Sequence, residues 1–284
     1  ADAAAPAPPA DAAALLERWA SAGRLLRRLP ASTGDGSSSS DSDGEQQEQE
    51  GGWARPAALA LEPDGAAVLD ARGVRLYKWL PKLRLWHDGR GALDMRRPRG
   101  VVALGGGELA VADADRGCVA VLGADGAELR TVGRLRRGAL RRPTALAADI
   151  AKDQLAVFDS EPAPRVQLHR ASTGALLRTF SLDGLGVRDV PAGGLALDGA
   201  GHVAVADPDG RRVLRLRIID GGCATQLCAG PGSALSHPTA VAALPDGSLL
   251  VADRGEPGAE RQCCLQLLRA GDGRWLSTLP IGRG

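Results

Sequence analysis

One unit of sequence repeats five times along this chain of 284 residues. A proline opens each unit and an aspartate follows 14 to 16 residues later, so that the units recur every 42 to 48 residues. A period of this length, built from short apolar segments, is typical of a β-propeller with one four-stranded blade per repeat. The prolines are Pro56, Pro98, Pro143, Pro191 and Pro238, and the aspartates are Asp70, Asp113, Asp159, Asp207 and Asp253.

The apolar segments within the units predict short strands. Those that end at the aspartates read AVLD, LAVAD, LAVFD, VAVAD and LVAD, as expected of strands covered on both faces by neighbouring blades. Asp-Gly pairs between segments favour tight hairpins. We therefore expect an all-β propeller with five recognisable four-stranded blades and a sixth blade that is absent or degenerate. The predicted strands are Gly100–Leu104, Glu108–Ala112, Cys118–Leu122 and Glu128–Val132 in the second unit, and Gly194–Leu197, His202–Ala206, Val213–Ile218 and Thr225–Cys228 in the fourth.

Composition divides the chain into three regions. Residues 1–30 hold an Ala/Pro-rich start and an amphipathic helix whose apolar residues follow coiled-coil spacing. This helix is either the remnant of a longer coiled coil or a single helix that docks on the propeller. Residues 31–52 predict a disordered, acidic Ser/Glu linker, and residues 53–284 form the propeller.

Charge is distributed unevenly between these regions. Residues 1–52 carry nine acidic residues and four arginines, whereas residues 53–284 carry six more basic than acidic residues. No segment approaches 18 consecutive apolar residues, and the five cysteines lack the spacing of a disulfide framework. We therefore expect a cytoplasmic protein that does not engage a membrane.

The repeat resembles the NHL repeat in three features. These are the proline that leads the first strand, the L-x-V-A-D pattern of the second strand, and an Arg-Val or Cys-Val start to the third. NHL propellers usually have six blades, so five visible units depart from that pattern. An NHL-like propeller behind a flexible linker and a coiled-coil remnant is similar to the C-terminal part of the tripartite-motif E3 ubiquitin ligases.

This resemblance implies a function in protein ubiquitination, with innate antiviral defence as a further expectation. The chain would select protein substrates, whereas ligase activity would reside in RING and B-box modules upstream. Zinc would be bound only by those modules, so we expect no cofactor and no catalytic residue in this chain. Dimerisation would proceed through an upstream coiled coil.

The histidines and cysteines do not predict a metal site. Ligands that converge on a propeller axis must occupy equivalent positions in their blades, and the four histidines occupy different ones. The cysteines lack two well-spaced ligand pairs, and adjacent strand residues point to opposite faces. We expect the cysteines to be small buried residues. The histidines are His87, His169, His202 and His237, and the cysteines are Cys118, Cys223, Cys228, Cys263 and Cys264.

The repeated aspartates and prolines have a structural interpretation. An aspartate at a strand end accepts hydrogen bonds from the backbone of the next turn. A proline fixes the backbone where the chain enters each blade.

The arginines predict a ligand-binding face. In an antiparallel blade, the loops between blades and the loops between second and third strands emerge on one face, and these loops hold most of the arginines. A concentrated basic face attracts phosphate backbones or acidic proteins, and arginine suits both. The predicted partner- or RNA-binding residues are Arg96, Arg97, Arg99, Arg134, Arg136, Arg137, Arg141, Arg142, Arg211 and Arg212.

Three hypotheses of function follow from the sequence. The first is a substrate-recognition propeller of a tripartite-motif-type ubiquitin ligase. The second is an RNA-binding propeller that acts through the arginine-rich face, for which affinity should fall steeply with salt. The third, and weakest, is a metal-dependent propeller enzyme, which would need several histidines to act together.

Overall fold

The computed structural model describes residues 58–62, 65–70, 73–78, 95–124, 126–134, 138–227, 235–255, 263–269, 272 and 274–280. The chain divides into residues 1–55 and residues 56–284. All described residues belong to the second unit, so the predicted helix and acidic linker lie outside them.

The described strands form five antiparallel sheets, and in each sheet the strands follow one another in chain order. Four sheets have four strands, and the first has three described strands. This arrangement confirms the predicted propeller blades. Blade one holds β1 (Ala58–Glu62), β2 (Gly65–Asp70) and β3 (Gly73–Lys78); blade two holds β4 (Pro98–Gly105), β5 (Glu108–Asp113), β6 (Cys118–Leu122) and β7 (Glu128–Val132); blade three holds β8 (Pro143–Asp149), β9 (Gln154–Asp159), β10 (Arg165–Arg170) and β11 (Leu176–Ser181); blade four holds β12 (Leu195–Leu197), β13 (His202–Asp207), β14 (Arg212–Arg217) and β15 (Cys223–Leu227); blade five holds β16 (Pro238–Ala243), β17 (Leu249–Asp253), β18 (Cys264–Leu268) and β19 (Trp275–Pro280).

The predicted strands agree closely with the observed ones. Strands β6 and β7 have the predicted bounds, and β5 and β13 each extend one residue further, to include the repeated aspartate. The largest differences are in β4 and β15, which begin at Pro98 and Cys223, two residues before the predicted Gly100 and Thr225.

Neighbouring blades contact each other through their first strands, in the order β1, β4, β8, β12 and β16. Backbones approach closely here: the Val241 N–H donates to Gly193 O at 2.9 Å. A Cβ on Gly100 would lie only 3.1 Å from Thr144 O in the next blade, which explains the glycine. Among the described strands no comparable contact joins β16 to β1, so the number of blades that close the ring stays a prediction.

The core lies between the blades. In blades two, three and four, apolar residues of the second and third strands are buried on both sides of the sheet, as in β6, where all five residues are buried. Between blades three and four, Phe158, Leu168, Val203 and Leu214 belong to one buried cluster. Small and branched side chains fill this space, which accounts for the scarcity of aromatic residues.

The repeated aspartates hold each blade to the loop that enters it. Asp113 is fully buried and accepts hydrogen bonds from the backbone N–H groups of Arg96, Arg97, Asp115 and Arg116, at 2.8 to 3.2 Å. The bonds to residues 115 and 116 confirm the predicted turn contact. Those to residues 96 and 97 come from the entry loop of the same blade, which the sequence did not reveal.

Blades three and five repeat this arrangement. Asp159 accepts from the N–H groups of Arg141 and Arg142, and Asp253 accepts from those of Ser236 and His237. The donors stand immediately before the repeated proline, which opens the first strand and lacks an N–H of its own.

Candidate partner-binding face

The topology places two sets of loops on one face of the propeller, which we call the arginine face. They are the entry loops that lead into each first strand and the loops between second and third strands. Their described residues contain nine arginines and five acidic residues. The arginines are Arg96, Arg97, Arg116, Arg134, Arg141, Arg142, Arg188, Arg211 and Arg254, and the acidic residues are Asp115, Glu161, Asp183, Asp189 and Asp209.

The remaining hairpins emerge on the opposite face, where the balance of charge is reversed. Their described residues contain three basic residues, Lys152, Arg269 and Arg274, and five aspartates. One of these aspartates, Asp198, is buried and bonded to Arg215 at 2.6 Å, so it adds no exposed charge. Burial acts to raise the pKa of Asp198, but hydrogen bonds from Arg215 and from two backbone N–H groups hold it below its usual range.

The entry loop of blade three, residues 133–142, carries five of the ten predicted site residues and is anchored at its base. The Leu140 N–H donates to Gly133 O at 2.8 Å, and the Leu140 side chain is buried. The Arg165 guanidinium in blade three donates to Ala139 O at 2.8 Å. Two predicted residues of this loop, Arg136 and Arg137, lie outside the described residues.

Several arginines of this face already have acidic partners. Arg142 pairs with Glu161 at 3.0 Å, and Arg97 lies 3.9 Å from Asp115. All four of these side chains are exposed, and such pairs contribute little stability. They leave the arginines accessible to a competing acidic ligand.

Arg212 occupies a different environment. Its side chain is only 16% exposed, it pairs with buried Asp207 at 2.8 Å, and it also donates to Leu185 O in the entry loop of blade four. These contacts stabilise the blade, and the role of Arg212 in ligand binding stays a prediction.

Glu128 and Arg116 form a half-buried pair that the sequence did not indicate. Their side chains meet at 3.1 Å, and Thr131 also donates to Glu128. Burial acts to raise the pKa of Glu128, but the bonds from Thr131 and Arg116, and more weakly the charge of Arg134, lower it below its usual range. The pair joins the loop between β5 and β6 to the start of β7, and no sequence pattern marks a partner 12 residues away along the chain.

Four arginines of the face are exposed and, within the described part of the chain, have no ion pair. They lie in the entry loops of blades three and four and in the loop between β17 and β18 of blade five. Arg99, another of the predicted site residues, lies in strand β4 and is half-buried. The four are Arg134, Arg141, Arg188 and Arg254.

The histidines occupy the unequal positions that the sequence predicted. His202 opens β13, His169 lies in β10 and His237 precedes the repeated proline, whereas His87 is outside the described residues. His169 is buried, with its Nδ1 3.2 Å from Gly174 O and its Nε2 3.0 Å from the side-chain amide of Gln167. Across the described residues, no group of three or more His, Cys, Asp or Glu side chains could hold a metal ion.

The cysteines are in part as predicted. Cys118 and Cys264 are buried at the start of the third strands of blades two and five, opposite the repeated aspartates. Cys263 is exposed, which contradicts the prediction for this residue. The side chain of Cys223 and the whole of Cys228 lie outside the description.

Comparison with known proteins supports the fold alone. No protein-family model matches the chain, and no curated protein matches it. Among solved structures, it is similar to a β-propeller chain in the crystal structure of a nidogen/laminin complex, with a TM-score of 0.60 and 15% sequence identity over 79% of this chain and 80% of that chain. In the described residues, no helix has the length and apolar character to cross a membrane.

Proposed function

We propose that this chain is a non-catalytic recognition propeller that selects protein substrates for a tripartite-motif-type E3 ubiquitin ligase, and that its arginine face binds them. The observation that carries the proposal is the difference in charge between the two faces. The arginine face presents nine arginines against five acidic residues, and four of its exposed arginines lack ion-pair partners within the described residues. Such a surface attracts acidic segments of a partner and accelerates their association.

The architecture of the blades supports a recognition role for the entry loops. The proline at the start of β4, β8 and β16 and the aspartate at the end of β5, β9 and β17 form one recurring contact between entry loop and blade. The contact fixes the backbone of the arginine-bearing loops, so their side chains project from a rigid base.

The distribution of residues favours an acidic protein over RNA as the ligand. Acidic residues such as Asp115, Asp189 and Asp209 stand among the arginines and would repel a continuous phosphate backbone. Single-stranded nucleic acids also bind through bases stacked on aromatic side chains. The exposed aromatic residue of the described part is Trp275, which lies on the outer strand β19 rather than in a loop of this face.

The proposal is tested with the full chain fused behind a heterologous RING domain. The face variant changes Arg134, Arg141, Arg188 and Arg254 to glutamine. The control variant changes Lys152, Arg269 and Arg274, and also Arg217, the last residue of β14 at the same face, to glutamine, which removes the same charge from the opposite face. We expect the unchanged and control fusions to capture and ubiquitinate the same discrete set of proteins in a cell extract, and the face variant to lose them.

Two results would contradict the proposal. Equal ubiquitination by the face variant would exclude the arginine face as the recognition surface. Binding of random single-stranded RNA, with an affinity that falls linearly with salt on logarithmic axes and is lost in the face variant, would instead assign the face to nucleic acid.

A further inference from the structure

A cavity of about 280 Å³ opens on the opposite face, between blades two and three. Its wall is formed by the β4–β5 hairpin, the side of β7, and the hairpins that end β8 and β10. It takes no part in the arginine face. Its lining combines Leu104 and Ile150 with the polar residues Glu108, Arg130, Asp153 and Ser172.

Hydrogen bonds fix the polar groups of this cavity. Arg130 Nη2 donates to Glu108 Oε2 at 2.6 Å and also to Ala171 O in blade three at 2.9 Å, so the guanidinium bridges the two blades. Ser172 donates its hydroxyl to Asp153 Oδ2 at 2.6 Å and its N–H to Oδ1 at 2.7 Å. Both carboxylates are therefore held in place before any ligand arrives.

The apolar wall lies beside these carboxylates. Ile150, in a single 3-10 turn at residues 150–152, is 58% exposed and lines the cavity from blade three. Leu104 lines the same cavity from blade two. A side chain with an aliphatic stem and a polar end would cover this wall while its end reaches the carboxylates.

The charges of the cavity favour a cation over an anion. It holds two carboxylates and one guanidinium, and that guanidinium already uses Nη2 for Glu108 and Ala171. Arg130 Nε has no partner within the described residues but is buried, so a ligand cannot reach it. The two bonds from Ser172, and more weakly the charges of Arg170 and Arg130, hold the pKa of Asp153 below its usual range, so this carboxylate is ionised at neutral pH.

We propose that this cavity binds a lysine or arginine side chain of a protein partner. The cationic end would lie between Glu108 and Asp153, with its stem against Ile150 and Leu104. The chain's own nearby lysine does not occupy the site, because Lys152 Nζ donates to Gly199 O in blade four. The propeller would thus bind acidic groups on one face and a basic side chain on the other.

The test is a titration of the isotope-labelled full chain, followed by NMR, with Nα-acetyl-lysine methylamide. The matched probe is Nα-acetyl-norleucine methylamide, which has the same stem without the charge. We expect saturable shifts confined to the cavity residues for the lysine probe, at about millimolar affinity, since a single side chain offers few contacts. The norleucine probe should bind about fivefold more weakly or not at all.

Variants assign the effect to the carboxylates. In the Glu108→Gln variant, the amide oxygen of glutamine can still accept the hydrogen bond from Arg130. In the Asp153→Asn variant, asparagine tolerates the left-handed backbone conformation of residue 153, whose φ is 54°. Each should weaken lysine binding about fivefold with the fold retained, whereas Asp246→Asn, an exposed aspartate in another hairpin of this face, should have no effect. Equal binding of both probes, tighter binding of Nα-acetyl-glutamate methylamide, or no saturable response would each overturn the proposal.

Discussion

The entry loops of blades three and four are built from the same sequence signals but are held in different ways. In blade three, Asp159 accepts the N–H groups of Arg141 and Arg142 and also pairs with Arg165 at 2.6 Å. In blade four, Asp207 accepts one backbone N–H among the described residues, that of Gly210, and pairs with Arg212. Both carboxylates are fully buried, so each must be satisfied by its neighbours.

The difference arises from the position of the repeated proline. Pro143 opens β8, whereas Pro191 stands four residues before β12, which is only three residues long. The N–H groups before Pro191 are therefore displaced from Asp207, and the loop is held instead by Arg212, which donates to Leu185 O. A buried carboxylate can thus hold an entry loop directly, by accepting hydrogen bonds from the loop backbone, or indirectly, through an arginine that donates to the loop.

The largest expected effect is the loss of the carboxylate from blade three. Asp159→Ala leaves Arg165 without its ionic partner and two part-buried N–H groups without an acceptor, and should lower the free energy of unfolding by about 4 kcal/mol. Asp207→Ala leaves Arg212 without its ionic partner and the Gly210 N–H without an acceptor. It should lower the free energy of unfolding by about 1 kcal/mol less than Asp159→Ala does. The measurement is the urea midpoint at constant m-value.

The exposed Asp209 provides the control, since Asp209→Ala should shift the free energy of unfolding by about 0.5 kcal/mol or less. A cost for Asp207→Ala that equals or exceeds that for Asp159→Ala would show that the arginine, and not the backbone of the entry loop, provides most of the stabilisation in both blades.

An intermediate effect is expected from two glycines near the start of these loops. Gly133 and Gly184 both have positive φ, 85° and 81°, so alanine is strained at either site. At Gly133 the added Cβ would also collide with the buried side chain of Leu140, whereas at Gly184 no atom lies within 4 Å. We expect a cost of about 3 kcal/mol for Gly133→Ala and about 1 kcal/mol for Gly184→Ala.

Thermal or urea unfolding of the two variants measures this difference. Similar costs at the two positions would mean that the loop of blade three adjusts around the new methyl group, and that its base is less rigid than its contacts with Leu140 and Asp159 indicate.

These comparisons show why the sequence predicted the blades better than the contacts. Strand bounds follow from local apolar runs and Asp-Gly turns, so β6 and β7 could be placed to the residue. The partner of Asp113 in the entry loop lies 16 or 17 residues away, and only the folded blade brings the two together. The pair of Arg130 with Glu108 spans 22 residues, so the sequence could not predict it for the same reason. The cavity that this pair lines could not be predicted either.

The arginine face was partly predictable. Strand alternation alone assigns each loop to a face, which is how the excess of arginines on one side could be recognised. Alternation does not tell which arginines are engaged: Arg142, in an entry loop, and Arg212, at the start of β14, differ in burial and partners. That distinction depends on whether the nearest carboxylate lies inside the blade or on its surface.

The smallest expected effect concerns the third strands of the blades, where His169 stands at the position that Leu122, Leu216 and Leu268 occupy in other blades. Burial lowers the pKa of His169 and outweighs the bond to Gly174 O, which acts to raise it. The unfolded chain therefore takes up a proton near pH 6.5, before the folded one does, and the free energy of unfolding should fall as the pH drops below that value. The slope from this one group is at most about 1.4 kcal/mol per pH unit.

His169→Leu should remove this part of the slope. Between pH 7.5 and pH 5, values chosen to bracket about pH 6.5, the urea midpoint of the variant should therefore fall less than that of the unchanged chain. Gln167→Leu is the control, because it removes the neighbour of the ring but keeps the group that titrates. If His169→Leu and the unchanged chain lose stability equally on acidification, the acid sensitivity belongs to other groups. The histidine would then be a packed core residue whose charge state does not affect the blade.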